Sequence, residues 1–587
     1  ELYKCFRENI LEQVKTIQRK RMLLYVGFIV VFCIAIIGKL VYLMIFKSEH
    51  YTKMALEVQE RERRIKAPRG KILDRNGKVI ASNRTVCTVS VIYNQTKDKE
   101  KVIKVLSKEL KLDEKEVRKK VEKRSSREKI KSNVSKKIGD KIREYNLLGV
   151  KVDEDYKRYY PYESLASKVL GFTGADNQGI IGLEVEYDHS LKGTDGTILT
   201  PTDSRGVERK NALEQRREPI SGNNLITSLD VNIQQYAEQI AYNALKAKEA
   251  NYVSIIVMNP NNGEIYAMVN APEFNLNKPY KLNYKTSGKI SEKEKQNLLN
   301  KMWRNQCTND TYEPGSTFKV ITSTAALENN VVTLNTKFSC GGSRMVDDRK
   351  IRCHKVTGHG SETFLQGVMN SCNPVFIDVG LKVGKEKFYA QMKKLGLMNK
   401  TGIDIPGEAG TIIHQIKNVG NVELATMSFG QSFQITPMQY LVAASAVING
   451  GKLITPHFAV KSVNKDGKII KKYSYSEKNG VVSKKTSDTM KYVLEKVVSE
   501  GTGSKGKVQG FKVGGKTATS QKLPRGSGKY IASFMGFAPS DNPKVIAMAI
   551  IDEPKGIYYG GQVAAPVISN LYKNILPYLL EEKEQGE

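Results

Sequence analysis

Apolar residues run from Met22 to Phe46, MLLYVGFIVVFCIAIIGKLVYLMIF, interrupted only by Lys39. Wound as a helix at about 1.5 Å per residue, this stretch spans the roughly 30 Å hydrocarbon layer of a bilayer. Arg19, Lys20 and Arg21 stand directly before it. Cationic flanks stay on the cytoplasmic side, so residues 1–21 read as a cytoplasmic tail and everything after residue 46 as exterior. No small-residue cleavage site follows, which predicts a retained anchor over 22–46. Past the anchor, short alternating segments flank Asp74-Arg75-Asn76-Gly77 within Ala67 to Asn83, and the Asn-Gly pair predicts a tight hairpin. Between Lys97 and Lys141, Val, Leu and Ile recur among charges at helical spacing, predicting small helices with solvated faces. The glycines of GFTGADNQGIIGLEVEYDHSLKGTDG, Gly171 to Gly196, read as loop geometry, because no strand and helix flank them as a dinucleotide fingerprint needs.

Near residue 219 the texture changes. LITSLDVNIQQYAEQIAYNAL predicts a strand end and an amphipathic helix, VSIIVMNPNNGEIYAMVNA a hairpin, VIAMAIIDEP a strand, and VAAPVISNLYKNILPYLL a closing helix. The expected organisation is a first exterior domain over 47–215, a second over 219–577 and an acidic tail over 578–587. A sheet with helices packed on it, class α+β, fits this order of elements. At 587 residues the chain exceeds one ordinary core, and 40% hydrophobic with 26% charged residues marks it as folded. The net charge of +32 is spread widely and sits on an exterior body, so nucleic acid is not an expected partner; an anionic wall or membrane surface is. The chain opens on Glu1, so a few native residues are expected before it.

Candidate chemistry begins at TYEPGSTFKV. Pro314 and Gly315, followed by VITSTAALE, predict a helix start, and Ser316 and Lys319 lie one turn apart on one face. A serine hydroxyl needs a neighbouring base, and a lysine serves once burial or nearby cations lower its pKa. Ser371-Cys372-Asn373 and Lys516-Thr517-Ala518-Thr519 follow. Ser-x-x-Lys, Ser-x-Asn and Lys-Thr-x in this order are shared by penicillin-binding proteins and class A β-lactamases.

With these motifs, the anchor, RGKILDRNG and GFTGADNQGIIGLE, the chain resembles class B penicillin-binding proteins nearly end to end. Within that family it is similar to the division and sporulation transpeptidases of Gram-positive bacteria. The resemblance implies an elongated pedestal of dimerisation type below a transpeptidase domain whose antiparallel sheet carries helices on both sides. It implies peptidoglycan D,D-transpeptidation through a serine acyl-enzyme, with stem peptides as substrates, β-lactams as acylating inhibitors, and septal or spore-cortex wall synthesis as the setting. Ser316 is then the nucleophile, Lys319 its base, Ser371 a proton relay and Asn373 a partner of Lys319 and the substrate amide. Lys516 and Thr517 bind the terminal carboxylate, and the backbone N–H groups of Ser316 and Thr519 form the oxyanion hole. No cofactor is required. A multi-pass glycan polymerase and other division or sporulation membrane proteins are the implied partners, and no wall-binding repeat is expected beyond the last helix. A D,D-carboxypeptidase and a catalytically impaired activator of that polymerase remain alternatives.

Where this family usually has Lys-Thr-Gly, the third position here is Ala518. Its methyl group either crowds bulky ligands, altering β-lactam affinity, or faces away. Cys340, Cys353 and Cys372, with His354 and His359, gather around the motifs, and Cys340 and Cys353 bracket a hairpin-like CGGSRMVDDRKIRCH. Thiolates and imidazole are preferred zinc ligands, although the spacing fits no standard finger. A structural zinc, a Cys340–Cys353 disulfide and unlinked thiols all stay open, as does the choice between His354 and His359.

Overall fold

The computed structural model describes residues 2–51, 60–125, 127–201, 215–286, 288 and 290–581. It forms two compact units, Glu1–Lys66 with Val86–Asp155 and Asp195–Pro219, and Ala67–Thr85 with Tyr156–Thr194 and Ile220–Glu587.

The first unit opens with the helix Leu2–Val41, which continues as a π-turn over Tyr42–Phe46. Within its apolar portion, Arg19–Phe46, the most apolar 18-residue stretch has a mean hydropathy of 2.7 and none of it is buried, as a lipid-facing helix requires. The basic tract follows the helical expectation in Lys99–Leu110, Glu114–Val121 and Lys136–Glu144, capped by Asp98, Asp113 and Ser135. Glu128–Ser135, however, is a strand and pairs antiparallel with Val86–Val91. Its buried residues Ile130 and Val134 are four apart, a spacing that suits a helix face and alternate strand positions equally. These elements close over a small core that includes Val89, Ile103, Leu106, Val117 and Ile142.

Five antiparallel strands form the central sheet of the second unit, in the order Ile265–Ala271, Tyr252–Met258, Val545–Asp552, Tyr530–Ala538, Gly514–Gln521. Strand alternation gives each sheet face its own core. Val253, Ile255 and Val257 join Ile568, Leu571 and Ile575 of the closing helix Ala565–Glu581 on one side. Ile256 and Met258 join Phe318, Val320 and Ile321 on the other. There the helix Pro437–Ile448 is buried at every position, which explains an apolar segment too short to be a second membrane span. Helices thus cover both sheet faces, as the α+β reading expects.

The predicted Asn-Gly hairpin forms between Ile72–Leu73 and the strand Val79–Val91, with Asp74 N–H on the Lys78 carbonyl at 2.9 Å and Gly77 at φ +80°. A feature the sequence did not announce lies beside it. Glu184 is fully buried between Arg69 and Arg158, each donating from Nε at 2.6 Å, and Tyr160 donates its hydroxyl at 3.1 Å. The loop glycines have a local reason: a Cβ on Gly171 would stand 1.8 Å from the Ile181 carbonyl oxygen.

Candidate active site and its cysteine cluster

Ser316 sits in a 3₁₀ turn, Gly315–Phe318, and the α-helix proper begins at Lys319. Side chains three apart eclipse in a 3₁₀ turn, so the tighter winding still aligns Ser316 with Lys319. Gly315 adopts φ +57°, and a Cβ there would lie 2.1 Å from Ser520 Oγ. The turn is pinned by Thr317 Oγ1 donating to the Pro314 carbonyl at 2.7 Å and by Tyr440 OH donating to the Thr317 carbonyl at 2.9 Å.

Lys319 is fully buried. Its ammonium donates to the Ser371 carbonyl at 2.7 Å, to Asn373 Oδ1 at 2.8 Å and to Ser371 Oγ at 3.3 Å, and it lies 5.2 Å from the Phe376 ring centre. Burial lowers its pKa to about 8 against the opposing pull of Cys372, Cys353 and Glu362. Ser371 reaches the amine from a left-handed backbone, φ +54°, between the helices Phe364–Met369 and Asn373–Val383. Asn373 accepts from Lys319 with its oxygen and donates through Nδ2 to the Arg352 carbonyl at 3.1 Å.

The third motif lies on the edge strand Gly514–Gln521, which pairs only with Tyr530–Ala538 among the described strands. Lys516, also fully buried, donates to Ser371 Oγ at 2.9 Å and to the Thr517 carbonyl at 3.1 Å. Burial, then repulsion by Lys319, holds its pKa well below the ordinary lysine value. Ser371 Oγ therefore bridges two amines delivered by different elements. Thr517 Oγ1 donates to Thr502 Oγ1 at 3.4 Å, and Thr519 Oγ1 accepts the Gly560 N–H at 2.9 Å. Strand alternation puts Ala518 on the face of Lys516 and Ser520. Its methyl is directed at the turn that carries Ser316: a Cβ on Gly315 would lie 3.6 Å from it.

Behind the Ser371 loop, one ligating atom each from Cys340, Cys353, His359 and Cys372 lie within 4.8 Å of one another. Cys340 ends the strand Lys337–Cys340, and Cys353 follows the hairpin Ser343–Val346 with Arg349–Arg352, as the CGGSRMVDDRKIRCH reading predicts. All three cysteines are free thiols, so the Cys340–Cys353 bridge is not formed. Cys353 pairs instead with Cys372, whose hydrogen bond holds the Cys353 thiol far below its ordinary pKa. His354 Nδ1 is 3.8 Å from Cys353 Sγ but stands outside the four-atom group, which takes His359, with Nδ1 3.7 Å from the same sulfur. Gly358 and Gly360, at φ +80° and +76°, turn His359 inward. Glu362, unnoticed in the sequence reading, is buried there: Oε1 lies 3.9 Å from His359 Nδ1 without a hydrogen-bond partner, while Oε2 accepts from Asn370 at 3.0 Å.

Ser316, Lys319, Ser371, Asn373, Lys516, Thr517, Ala518 and Thr519 all belong to the second unit. Comparison with known proteins gives this constellation a family. The sequence model of the penicillin binding protein transpeptidase domain matches residues 253–573, and that of the penicillin-binding protein dimerisation domain matches 64–227. Stage V sporulation protein D of Bacillus subtilis is 39% identical over 96% of this chain and 86% of its own. The probable peptidoglycan D,D-transpeptidase PenA of Neisseria meningitidis is 29% identical over 86% of this chain and 84% of its own. Among solved structures, penicillin binding protein 2X from Streptococcus thermophilus shares the fold with a TM-score of 0.73 at 22% identity, covering 90% of this chain and 82% of that one. The chain belongs to the class B penicillin-binding proteins, which join a dimerisation domain to a serine transpeptidase domain.

Proposed function

We propose that this chain is an anchored peptidoglycan D,D-transpeptidase of septal or spore-cortex wall synthesis, acting through an acyl-enzyme on Ser316. The observation that carries the reading is the convergence of two buried amines, Lys319 and Lys516, on the one hydroxyl of Ser371, at 3.3 and 2.9 Å. Two lysines sharing one acceptor repel each other, so at least one sheds its proton readily and can serve as a base.

The terminal D-alanyl-D-alanine of a stem peptide lies along the open edge of Gly514–Gln521, a backbone surface suited to an added strand. Its carboxylate meets Lys516 and Thr517, and that negative charge favours the protonated amine that burial disfavours. Ser316 Oγ attacks the penultimate carbonyl carbon as neutral Lys319 takes its proton. The Ser316 and Thr519 backbone N–H groups hold the oxyanion, and losing one such donor costs about 10²–10³ in rate. Lys319 returns the proton through Ser371 to the leaving nitrogen, the peptide bond breaks, and free D-alanine departs. An amine of a neighbouring stem peptide then attacks the ester and gives up its proton along the same relay, forming the crosslink and regenerating the Ser316 hydroxyl. β-Lactams enter as mimics of the D-alanyl-D-alanine end.

Residues 1–21 are cytoplasmic, 22–46 cross the membrane, 47–215 form the pedestal and 219–577 the transpeptidase domain; the cationic flank Arg19 to Arg21 supports this orientation. A multi-pass glycan polymerase and other division or sporulation membrane proteins are its partners at the anchor and pedestal. Three thiols and an imidazole converging on one point are a zinc donor set. Cys340, Cys353, Cys372 and His359 hold that zinc, which fixes the loop carrying Ser371 and Asn373; catalysis needs no cofactor of its own.

Intact-mass spectrometry of the full chain in detergent, with a fluorescent penicillin, tests the nucleophile. One penicilloyl adduct, lost in Ser316→Ala, is expected; an adduct retained in the variant would refute the assignment.

A further inference from the structure

The catalytic scheme does not use Glu313, although it lies three residues before Ser316 and its side chain is only 8% exposed. Its carboxylate accepts both contacts of Arg525 Nη2, at 3.0 and 2.9 Å, and the Ser432 backbone N–H at 2.9 Å. Each partner comes from a different wall around the nucleophile turn. Arg525 belongs to the loop between the edge strand Gly514–Gln521 and Tyr530–Ala538. Ser432 is held at φ +66°, with its hydroxyl 2.8 Å from Thr426 Oγ1. Two residues earlier, the Gly430 carbonyl accepts the Gly315 N–H at 2.9 Å.

The turn is packed without slack between these walls. A Cβ on Gly430 would stand 2.1 Å from the Gly315 carbonyl oxygen, and one on Gly315 would stand 2.1 Å from Ser520 Oγ. Tyr312 and Ile435 exchange backbone hydrogen bonds at 3.0 and 3.1 Å, and Thr311 Oγ1 donates to Gln434 at 2.9 Å, so the approach to Ser316 is strapped along the 430–435 segment. On the strand side, Arg525 provides the charged tie from the loop. A small cavity, about 150 Å³, remains between them, lined by Thr311, Glu313, Gln434, Ser520 and Lys522 among others.

We propose that Glu313 and Arg525 are positioning residues for acylation: their ion pair sets the distance between the loop that ends the edge strand and the turn that carries Ser316. A substrate lying on the edge strand then meets the serine at a fixed offset, and a shift of about 1 Å in such an offset costs about 10²-fold in rate. Arg525 touches no reacting atom. Its side chain is 38% exposed but that of Glu313 only 8%, so removing Arg525 leaves a buried carboxylate held by the Ser432 N–H alone and costs some stability as well as rate.

The inference rests on Ser316 being the acylated serine. Its test measures the acylation rate and apparent binding constant of the full chain with a chromogenic cephalosporin, kcat and KM with a D-alanyl-D-alanine thioester, and the melting temperature. Arg525→Ala should lower the melting temperature and, assayed well below it on the folded protein, slow the acylation step and kcat by about tenfold while leaving KM within about twofold. Arg525→Lys should recover most of the rate, and Glu313→Gln combined with Arg525→Ala should be no slower than the worse single variant. Unchanged acylation in Arg525→Ala, or a rate loss matched by lost folded protein, would overturn the proposal. Absence of acylation in the unaltered protein would instead overturn the Ser316 reading, and this inference with it.

Discussion

Lys319 as general base makes a quantitative demand on pH. Its amine is buried, donates to three oxygens of Ser371 and Asn373, and has a pKa lowered to about 8 by burial. Only the neutral amine can take the Ser316 proton. At that pKa the neutral fraction is about 1% at pH 6, about 10% at pH 7 and half at pH 8. The second-order acylation rate should therefore climb about fifty-fold between pH 6 and pH 8 and level off above pH 9. Stopped-flow reaction with a chromogenic cephalosporin at constant ionic strength reads this directly. A flat profile, or one falling from pH 7 to 9, would refute the assignment of base.

The same group leaves a mark on stability, with a definite sign. Its folded pKa of about 8 lies below the ordinary 10.5, so between those values the folded chain holds fewer protons than the unfolded chain. Stability due to this group rises with pH across that window, and below about pH 8 its burial costs the full shift, about 3 kcal/mol at about 1.4 kcal/mol per unit. Lys319→Met removes the charge, so its melting temperature relative to the unaltered protein should fall as pH rises from 7 to 10. A constant difference would show that the lysine is not held at a lowered pKa.

Two further outcomes probe the surroundings. Cys340→Ser should abolish zinc retention, read by competition with a chromophoric chelator, with a lower melting temperature; a chain that never carries metal would exclude the site. Ala518→Gly should speed acylation by β-lactams with bulky side chains about fivefold, the equivalent of about 1 kcal/mol of relieved crowding, while penicillin G changes less. Equal rates for both alanine and glycine forms would show that the methyl leaves the ligands untouched.

Much of this architecture could be read from the chain because its signals are local. The membrane-spanning candidate is an apolar run broken only by Lys39, the Asp74 to Gly77 hairpin is fixed by its turn residues, and Tyr252–Met258, Ile265–Ala271 and Val545–Asp552 declare themselves by length and composition. The candidate catalytic set is legible as three motifs in order, since each needs only a few adjacent positions. What stayed hidden depends on tertiary placement. Glu128–Ser135 lies in a tract of helical spacing, and because Ile130 and Val134 satisfy both periods, only pairing with Val86–Val91 decides between them. Glu184 sits 115 positions from Arg69, and no local pattern ties a buried carboxylate to a guanidinium that distant. The choice of His359 over His354 turns on two glycines at positive φ, whose direction spacing alone does not give.

The Ser371 loop shows why the cysteine cluster and the catalytic set are better treated as one construction. Ser371 must occupy a left-handed conformation to offer both its carbonyl and its hydroxyl to Lys319 while its hydroxyl also accepts Lys516. For a residue with a β-carbon that conformation costs about 1–2 kcal/mol, and the two buried amines that share its hydroxyl repel each other. Restraint has to come from the neighbours. Cys372 is tied to Cys353, which follows Arg352, and the Arg352 carbonyl accepts the Asn373 amide, so the two residues that follow Ser371 are both held from the same hairpin. A ligand substitution that loosens this hairpin should therefore lower acylation together with metal content. If acylation persisted unchanged after complete metal loss, the hydrogen bonds of Asn373 and Cys353 would suffice to hold Ser371 in place.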